Sequence, residues 1–333
     1  MDRRNAVQLL NDFQRDFPLV RAPYAAVARR LGTTEASVLE ALGDALADGR
    51  VSRVGAVFRP GAIGASTLAA LAVPPADLER VAAVVSARPE VNHNYEREHR
   101  FNLWFVATAP DAASLAAALG AVERGTGYTP VSLPLVSDYW IDLGFDLEAA
   151  PGTSRIPRAP QRVRRCVLSA ADRRLVAALE DGLPLVSRPY AALARRAGVA
   201  EDDVLARLAD WQGAGVVRRF GVVVRHRALG FIANAMCVWD VPDSGVDGAG
   251  AALAGEPGVT LCYARRRALP EWRYNLFCML HGHDRATVEA RRAELAAAHG
   301  LDAHPSAVLF TRRAFKQCGA RYASAAAPIP RAA

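Results

Sequence analysis

The chain has 333 residues, of which 51% are hydrophobic and 23% are charged, a composition typical of soluble globular proteins with more than one core. No apolar run reaches the length of a membrane span, and the N-terminus lacks the apolar core of a secretory signal, so we expect no membrane insertion and a cytoplasmic location. The net charge of +7 is carried almost wholly by arginine, which favours carboxylate or phosphate partners.

An internal repeat determines the predicted architecture. Residues 17–26 recur as residues 183–192, an offset of 166 positions. The same offset relates Arg59 to Arg225. Later in each copy, residues 91–103 correspond to residues 259–276, and the second copy has five extra residues in the turn. The chain is therefore predicted to be a tandem duplication.

Each copy begins with three predicted helices and an apolar β pair. These segments are residues 5–17, 23–31, 35–47 and 51–58 in the first copy, and residues 169–179, 189–197, 201–213 and 216–224 in the second. A proline starts each second helix, and a glycine turn separates it from the third. This order indicates a winged helix-turn-helix.

The remainder of each copy has the order strand, helix, strand, strand, helix, strand. In the first copy the segments are residues 66–73, 76–87, 91–97, 101–107, 112–124 and 131–143, and the second copy runs from residues 233–241 to residues 308–315. This order is the ferredoxin-like plan. The predicted fold class is α+β, a tandem duplication of a winged helix-turn-helix plus a ferredoxin-like (βαββαβ) domain.

Predicted domain boundaries follow these elements. The winged helix-turn-helix domains are residues 1–62 and 167–228, and the ferredoxin-like domains are residues 63–147 and 229–322. Residues 148–166 are rich in Ala, Pro, Gly and Arg without an apolar period, and we predict a linker there. Residues 323–333 are predicted to be a loose tail.

The predicted hairpin of residues 91–105 concentrates reactive side chains. It holds two histidines, two arginines, two glutamates and four aromatic residues. Strand periodicity predicts one face formed by Val91, His93, Tyr95 and Arg97, and one face of the next strand formed by Phe101, Leu103 and Phe105. A half-buried sheet with a solvated turn would also explain these residues. Titratable groups that converge beside large rings favour the functional interpretation.

The third helix of each winged domain would be the one that enters DNA, and its charge argues against that role. Residues 33–48 contain four acidic residues and no basic one, and residues 201–211 contain four acidic residues and one arginine, Arg207. Because phosphate contacts dominate DNA affinity, such helices would be repelled. We expect them to serve as scaffold and to shape a cavity between the copies. The wing arginines leave DNA binding as a minority interpretation; they are Arg50, Arg53, Arg218, Arg219 and Arg225.

The domain order resembles the Lrp/AsnC family of bacterial transcription regulators, and the motifs resemble one offshoot of it, the siroheme decarboxylases. Residues 93–105 (HNYEREHRFNLWF) are similar to the D-like subunit of those enzymes. The second copy resembles the L-like subunit at residues 218–226 (RRFGVVVRH), 258–265 (GVTLCYAR) and 269–282 (LPEWRYNLFCMLHG). Since it covers almost the whole chain, the resemblance implies a natural fusion of D-like and L-like subunits (NirDL type).

This resemblance implies a carbon-carbon lyase. The implied reaction removes the C12 and C18 acetate carboxyl groups of siroheme and gives 12,18-didecarboxysiroheme in heme d1 biosynthesis. No separate cofactor is implied, because the iron arrives with the substrate. The alternative is an Lrp/AsnC-type transcription regulator that senses a tetrapyrrole or an amino acid.

Siroheme is a flat iron macrocycle with eight carboxylates, which would need apolar walls, an imidazole near the iron and arginines at the rim. The catalytic candidates are His93 and His99, one as axial iron ligand or orienting group and the other as proton donor, in an order that the sequence leaves open. The substrate-binding candidates are Arg59, Tyr95, Arg97, Arg100, Asn102, Trp104, Arg219, Arg225, His226, Tyr263, Arg265, Trp272 and Asn275.

The remaining histidines and cysteines give weaker signals. His226 stands where the first copy has Pro60, so a specialised role and an ordinary strand histidine are equally supported. We expect His281 and the three histidines after it to be structural. The five cysteines form no CxxC pair, which argues against a metal set or a complete disulfide framework.

The two copies are predicted to pack about a pseudo-twofold axis. Pairing of the ferredoxin-like sheets would cover apolar side chains that include Leu103, Phe105, Leu276 and Phe277. Whether the fused chain forms a further homo-oligomer is left open by the sequence.

Overall fold

The computed structural model describes residues 1–141, 161–162, 165–224 and 233–323. The first copy contains α1 (Arg3–Asp12), α2 (Pro23–Arg30), α3 (Glu35–Ala47), β1 (Val51–Phe58), β2 (Ala65–Leu71), α4 (Leu78–Ala87), β3 (Val91–Arg97), β4 (Leu103–Ala109), α5 (Ala112–Thr126) and β5 (Val131–Ile141). A short strand, β6 (Gln161–Arg162), precedes the second copy. That copy contains α6 (Ala170–Leu179), α7 (Pro189–Ala197), α8 (Glu201–Gly213), β7 (Val217–Val224), β8 (Ala233–Trp239), α9 (Val246–Ala254), β9 (Val259–Arg265), β10 (Leu276–Gly282), α10 (Arg285–Ala298) and β11 (Ser306–Gln317).

The predicted α+β fold class and its duplication are confirmed. Most of the predicted linker and nearly all of the predicted tail lie outside the described residues. Within the part of the chain that the structure describes, no helix combines the length and apolar character needed to cross a membrane.

Each predicted β pair is in fact a single strand, and the prediction of a separate wing in each copy is wrong. β1 and β7 pair with each other in antiparallel register, with Gly55 opposite Gly221. The first helix also ends earlier than predicted, because residues after Asp12 leave the helix to meet β7: Val222 N donates to Phe13 O at 2.7 Å. A Cβ at Gly221 would lie 2.3 Å from that oxygen, so the close approach requires glycine.

The two helix-turn-helix units share one hydrophobic core. Two tyrosines at equivalent positions reach across it: Tyr24 Oη donates to Pro184 O at 3.2 Å, and Tyr190 Oη donates to Pro18 O at 2.9 Å. Burial raises the pKa of both phenols. The two units are therefore bound to each other along a buried, paired surface.

The strands of the ferredoxin-like domains form one continuous sheet across both copies. Its order is β2-β4-β3-β11-β8-β10-β9-β5-β6, and β5 also pairs with β2, so the strands close a ring. The last strand of each copy is long and divides its pairing. β11 pairs with β8 through residues 306–310 and with β3 of the other copy through residues 311–317. β5 does the same with β2 and β9, which gives the ring its pseudo-twofold symmetry.

Side chains from both copies meet inside this ring, but only one of the four expected residues is among them. Leu103, Phe105 and Leu276 pack on the helix-covered faces of their own copies. The inner core contains Phe277, as predicted, together with Trp104 from the first copy. The physical reason is strand parity, because residues next to each other on a strand face opposite sides of the sheet.

Candidate active site

His93 lies near the start of β3 on the inner face of the sheet. Its ring stacks on Tyr95 at a centroid distance of 6.0 Å, and its Nδ1 lies 2.6 Å from Asn92 Oδ1. Val91 does not share this face as predicted, because the β3–β4 register shifts between Val91 and His93. Such a bulge turns the following side chains to the other side. Burial, and then the nearby charge of Arg53, lower the pKa of His93 to about 4, so the imidazole is neutral at pH 7.

Arg53 also lies at this end and was not among the site candidates that the sequence indicated. It belongs to β1, and a Cβ at Gly319 would lie 2.7 Å from its Nη1, which places the guanidinium beside the chain that follows β11. Its Nη2 donates to Ala56 O at 3.1 Å, while its Nε is buried without a hydrogen bond. No carboxylate among the described residues forms an ion pair with it. The missed signal was the offset of 166, which relates Arg53 to the selected Arg219.

His99 lies in the turn after β3, at the other end of the hairpin. Its Nδ1 accepts a hydrogen bond from Phe101 N at 3.0 Å, and its ring packs edge-on against Trp272 at 5.4 Å between centroids. Burial, and then the charge of Arg100, lower the pKa of His99. The ring therefore connects the hairpin turn to the longer turn of the second copy.

The two candidate histidines do not converge. β3 ends at Arg97, four positions after His93, and a rise of about 3.3 Å per residue places that end roughly 13 Å from His93. His99 follows in the turn beyond it. That distance is far beyond hydrogen-bond reach, so the two rings cannot act on one atom.

Arg97 and Arg265 occupy equivalent inner positions. Each guanidinium lies over a tyrosine of its own strand, at 5.6 Å from the Tyr95 ring for Arg97 and at 4.6 Å from the Tyr263 ring for Arg265. Arg97 is only 7% exposed. Tyr95 and Arg97 thus extend the His93 face of β3 as the periodicity predicted.

Asn102 and Asn275 fix the two hairpins to their neighbouring strands. Asn102 Nδ2 donates to Val73 O at 2.8 Å, and its Oδ1 accepts from Val73 N at 3.0 Å. Asn275 forms the same pair of bonds with Val241, each at 2.9 Å. The structure therefore gives both amides a backbone-holding role.

The aromatic candidates form a packed cluster between the copies. The ring centroids of Trp104 and Trp272 are 4.9 Å apart, and each residue is 1% exposed. Tyr263 stacks on Phe277 at 5.5 Å. Trp272 comes from the extra residues of the second turn, which shows that the insertion contributes to the contact between the copies.

Arg59 and Arg218 meet at one buried carboxylate. Asp138 on β5 is 4% exposed, and its Oδ2 lies 3.3 Å from Arg59 Nε and 2.7 Å from Arg218 Nη2. Both arginines therefore contact the ferredoxin-like domain of the first copy. This ion pair argues against the DNA contact considered for Arg218.

The other predicted arginines are distributed over both copies. Arg219 is 6% exposed, and its Nη1 lies 3.5 Å from Gln14 O. Arg100 is exposed and pairs with Glu271 of the second copy at 2.9 Å. Arg225 and His226 lie outside the described residues.

The second copy does not repeat the His93 arrangement. The position equivalent to His93 is Leu261, and a histidine stands instead on the neighbouring strand. His281 Nδ1 lies 2.9 Å from Thr260 Oγ1, and burial followed by the charge of Arg97 lowers the pKa of His281 to about 4. Each copy therefore has one inner histidine here, but on different strands: His93 on β3 in the first copy and His281 on β10 in the second.

Comparison with known proteins shows which family the chain is similar to. A model of the siroheme decarboxylase NirDL-like HTH domain matches residues 7–51 and 172–218, and a model of the AsnC-like ligand binding domain matches residues 62–138 and 228–316. The chain is 46% identical over 322 residues to the siroheme decarboxylase NirDL subunit of Paracoccus pantotrophus, covering 96% of this chain and 98% of that protein. This chain belongs to the siroheme decarboxylase family.

Two further similarities extend over the same length. The siroheme decarboxylase of Hydrogenobacter thermophilus is 32% identical over 322 residues, 95% of this chain and 94% of that one. A crystal structure of the siroheme decarboxylase NirDL in complex with an iron-uroporphyrin III analogue superposes with a TM-score of 0.70 and 28% identity, covering 96% of this chain and 93% of that one. Arg53 of this chain lies between the regions that the two family models match in the first copy.

Proposed function

We propose that the protein decarboxylates the C12 and C18 acetate side chains of siroheme and forms 12,18-didecarboxysiroheme for heme d1 biosynthesis. The observation that carries this proposal is the 46% identity to a NirDL siroheme decarboxylase subunit over nearly the whole of both chains. In each step the bond between the methylene carbon and the carboxyl carbon breaks. Carbon dioxide leaves, and the electron pair left on the methylene carbon takes up a proton to form a methyl group.

We assign the siroheme site to the end of β3 that holds His93 and Arg53. A neutral imidazole is the form that ligates iron, and burial keeps His93 neutral at pH 7. A buried guanidinium with an unused N–H is suited to a substrate carboxylate, because a charge-assisted hydrogen bond contributes about 1.5 to 3 kcal/mol.

With His93 at the iron, the proton for the new methyl group comes from another group. His99 lies in the turn beyond the far end of β3, and its Nδ1 is engaged by Phe101 N, so it does not reach the same atom. Tyr95 stacks on the His93 ring, and a phenol is a group that can act as a general acid. We therefore assign the donor role to Tyr95.

No separate cofactor is needed in this scheme, because siroheme brings its own iron. The five cysteines are free, which fits a reducing compartment, and we place the protein in the cytoplasm.

Anaerobic incubation of the purified protein with siroheme, followed by mass analysis, tests the function. We expect a product that has lost two carbon dioxide units, with the singly decarboxylated species appearing first. Unchanged siroheme bound to the protein after prolonged incubation would contradict the proposal and would favour a tetrapyrrole-binding regulator.

A further inference from the structure

Asn92 lies between His93 and a second buried polar residue, Thr108. Asn92 and Thr108 are each 2% exposed. Asn92 Oδ1 lies 2.6 Å from His93 Nδ1, and Asn92 Nδ2 donates to Thr108 Oγ1 at 3.4 Å. Asn92 lies at the register shift between β3 and β4, a type of irregularity that redirects side chains, and its amide contacts Thr108 of β4. The three side chains therefore form one continuous polar chain.

The donor and acceptor of each hydrogen bond in this polar chain follow from the contact of Thr108 with the backbone of Arg321. Arg321 O can only accept, so the Thr108 hydroxyl, 2.8 Å away, donates to it. The same hydroxyl oxygen accepts from Arg321 N at 3.2 Å and hence from the amide nitrogen of Asn92. The Asn92 oxygen then points to His93, so Nδ1 of His93 carries the hydrogen and Nε2 carries the lone pair.

This polar chain occurs in the first copy only. The residues at the equivalent positions of the second copy are Thr260, Leu261 and His281. Thr260 Oγ1 donates to Met279 O at 3.1 Å and lies 2.9 Å from His281 Nδ1. No imidazole stands at the Leu261 position, so the second copy has no ring for such a chain to orient.

We propose that Asn92, supported by Thr108, is a positioning residue that holds His93 with the lone pair of Nε2 directed at the iron of the substrate. The inference rests on the proposed function, since it assumes that siroheme binds at His93. Partners that fix the tautomer of a ligating histidine typically change metal affinity or activity by about 10- to 100-fold when they are removed.

Substitutions at Thr108 test the chain without touching the histidine or its neighbour. Thr108→Val removes the hydroxyl at nearly constant volume, whereas Thr108→Ser keeps it. We expect Thr108→Val to weaken siroheme binding by about 10- to 100-fold and to change the visible spectrum of the bound iron. Thr108→Ser should recover most of that loss. Thr260→Val is the matched control in the second copy and should bind siroheme as the unmodified protein does.

Asn92→Asp tests the role through the reduction potential of the bound iron, which should not change if Asn92 only stabilises the fold. A carboxylate that accepts from Nδ1 makes the imidazole more electron-rich, so the reduction potential of bound siroheme iron should fall relative to the unmodified protein. An unchanged potential, or a folded Thr108→Val protein with unchanged affinity and spectrum, would overturn the inference. If the unmodified protein neither binds siroheme nor alters its spectrum, the proposed function itself fails, which is a separate result.

Discussion

Arg97 and Arg265 donate equivalent hydrogen bonds in opposite directions between the two copies. Arg97 Nη1 donates to Leu309 O at 3.2 Å, and Arg265 Nη1 donates to Leu133 O at 2.8 Å. Each acceptor lies in the long last strand of the other copy. The duplication therefore preserves the contact that a dimer of separate subunits would make, within one chain.

Arg97→Ala and Arg265→Ala should both lower the free energy of unfolding, each by about 1.5 to 3 kcal/mol for one lost charge-assisted hydrogen bond. Denaturant unfolding measures this. Because Arg97 also shares a face with His93, only Arg97→Ala should weaken siroheme binding strongly. Equal losses of siroheme affinity in the two variants would place substrate in both halves and contradict this assignment.

Replacing the two hairpin histidines should give different results. His93→Ala should alter the visible spectrum of bound siroheme and weaken its binding, because an iron ligand is lost. His99→Ala should leave the spectrum unchanged and lower stability, because the ring holds the turn against Trp272. A spectral change in His99→Ala alone would move the substrate to the other end of the hairpin.

Much of the fold could be predicted from the sequence, because the repeat and the apolar periods are local signals. The third helix of the first copy was predicted with the bounds that the structure shows, and its Thr34 cap accepts from Ser37 N at 3.2 Å. The pairing of β1 with β7 could not be predicted from the sequence. Strand pairing depends on partners far apart in the sequence. The apolar sequence of Val51–Phe58 predicts a strand but does not indicate which other strand it pairs with.

The site was predicted only in part. His93, Tyr95 and Arg97 share a face, as the period of two required, but His99 belongs to the turn and lies away from His93. Nothing local indicated that Arg53 of the helix-turn-helix domain would lie near His93, because that proximity arises from domain packing. Arg225 and His226 remain predictions.

Stability should fall in mild acid because of His281. Its pKa of about 4 in the folded protein lies below the ordinary histidine value of about 6.5, so the unfolded chain binds the extra proton first. The free energy of unfolding should be unaffected above pH ~6.5 and should decrease as the pH falls toward 4, by about 3 kcal/mol from this residue. His281→Gln should make that decrease smaller in denaturant titrations at several pH values. An identical decrease in the variant would contradict the shift.

Duplex DNA should bind weakly and without sequence preference. In the acidic first turn of α8, Asp202 forms an ion pair with Arg21 of the first copy at 2.8 Å. The two helix-turn-helix units also share one hydrophobic core. Fluorescence anisotropy with unrelated duplexes should give similar affinities that decline steeply with salt. A sequence-specific footprint at physiological salt would restore the regulator interpretation.

Turnover of two matched arginine variants tests whether siroheme is decarboxylated at the Arg53–His93 end of the first copy. Arg53→Gln and Arg219→Gln change the same position of the two copies. We expect Arg53→Gln to reduce the rate of carbon dioxide loss from siroheme by about 10- to 100-fold, as one lost charge-assisted hydrogen bond implies, and to do so far more than Arg219→Gln. Full turnover in a folded Arg53→Gln protein, with loss of turnover in Arg219→Gln, would show that the reaction does not take place at the Arg53–His93 end.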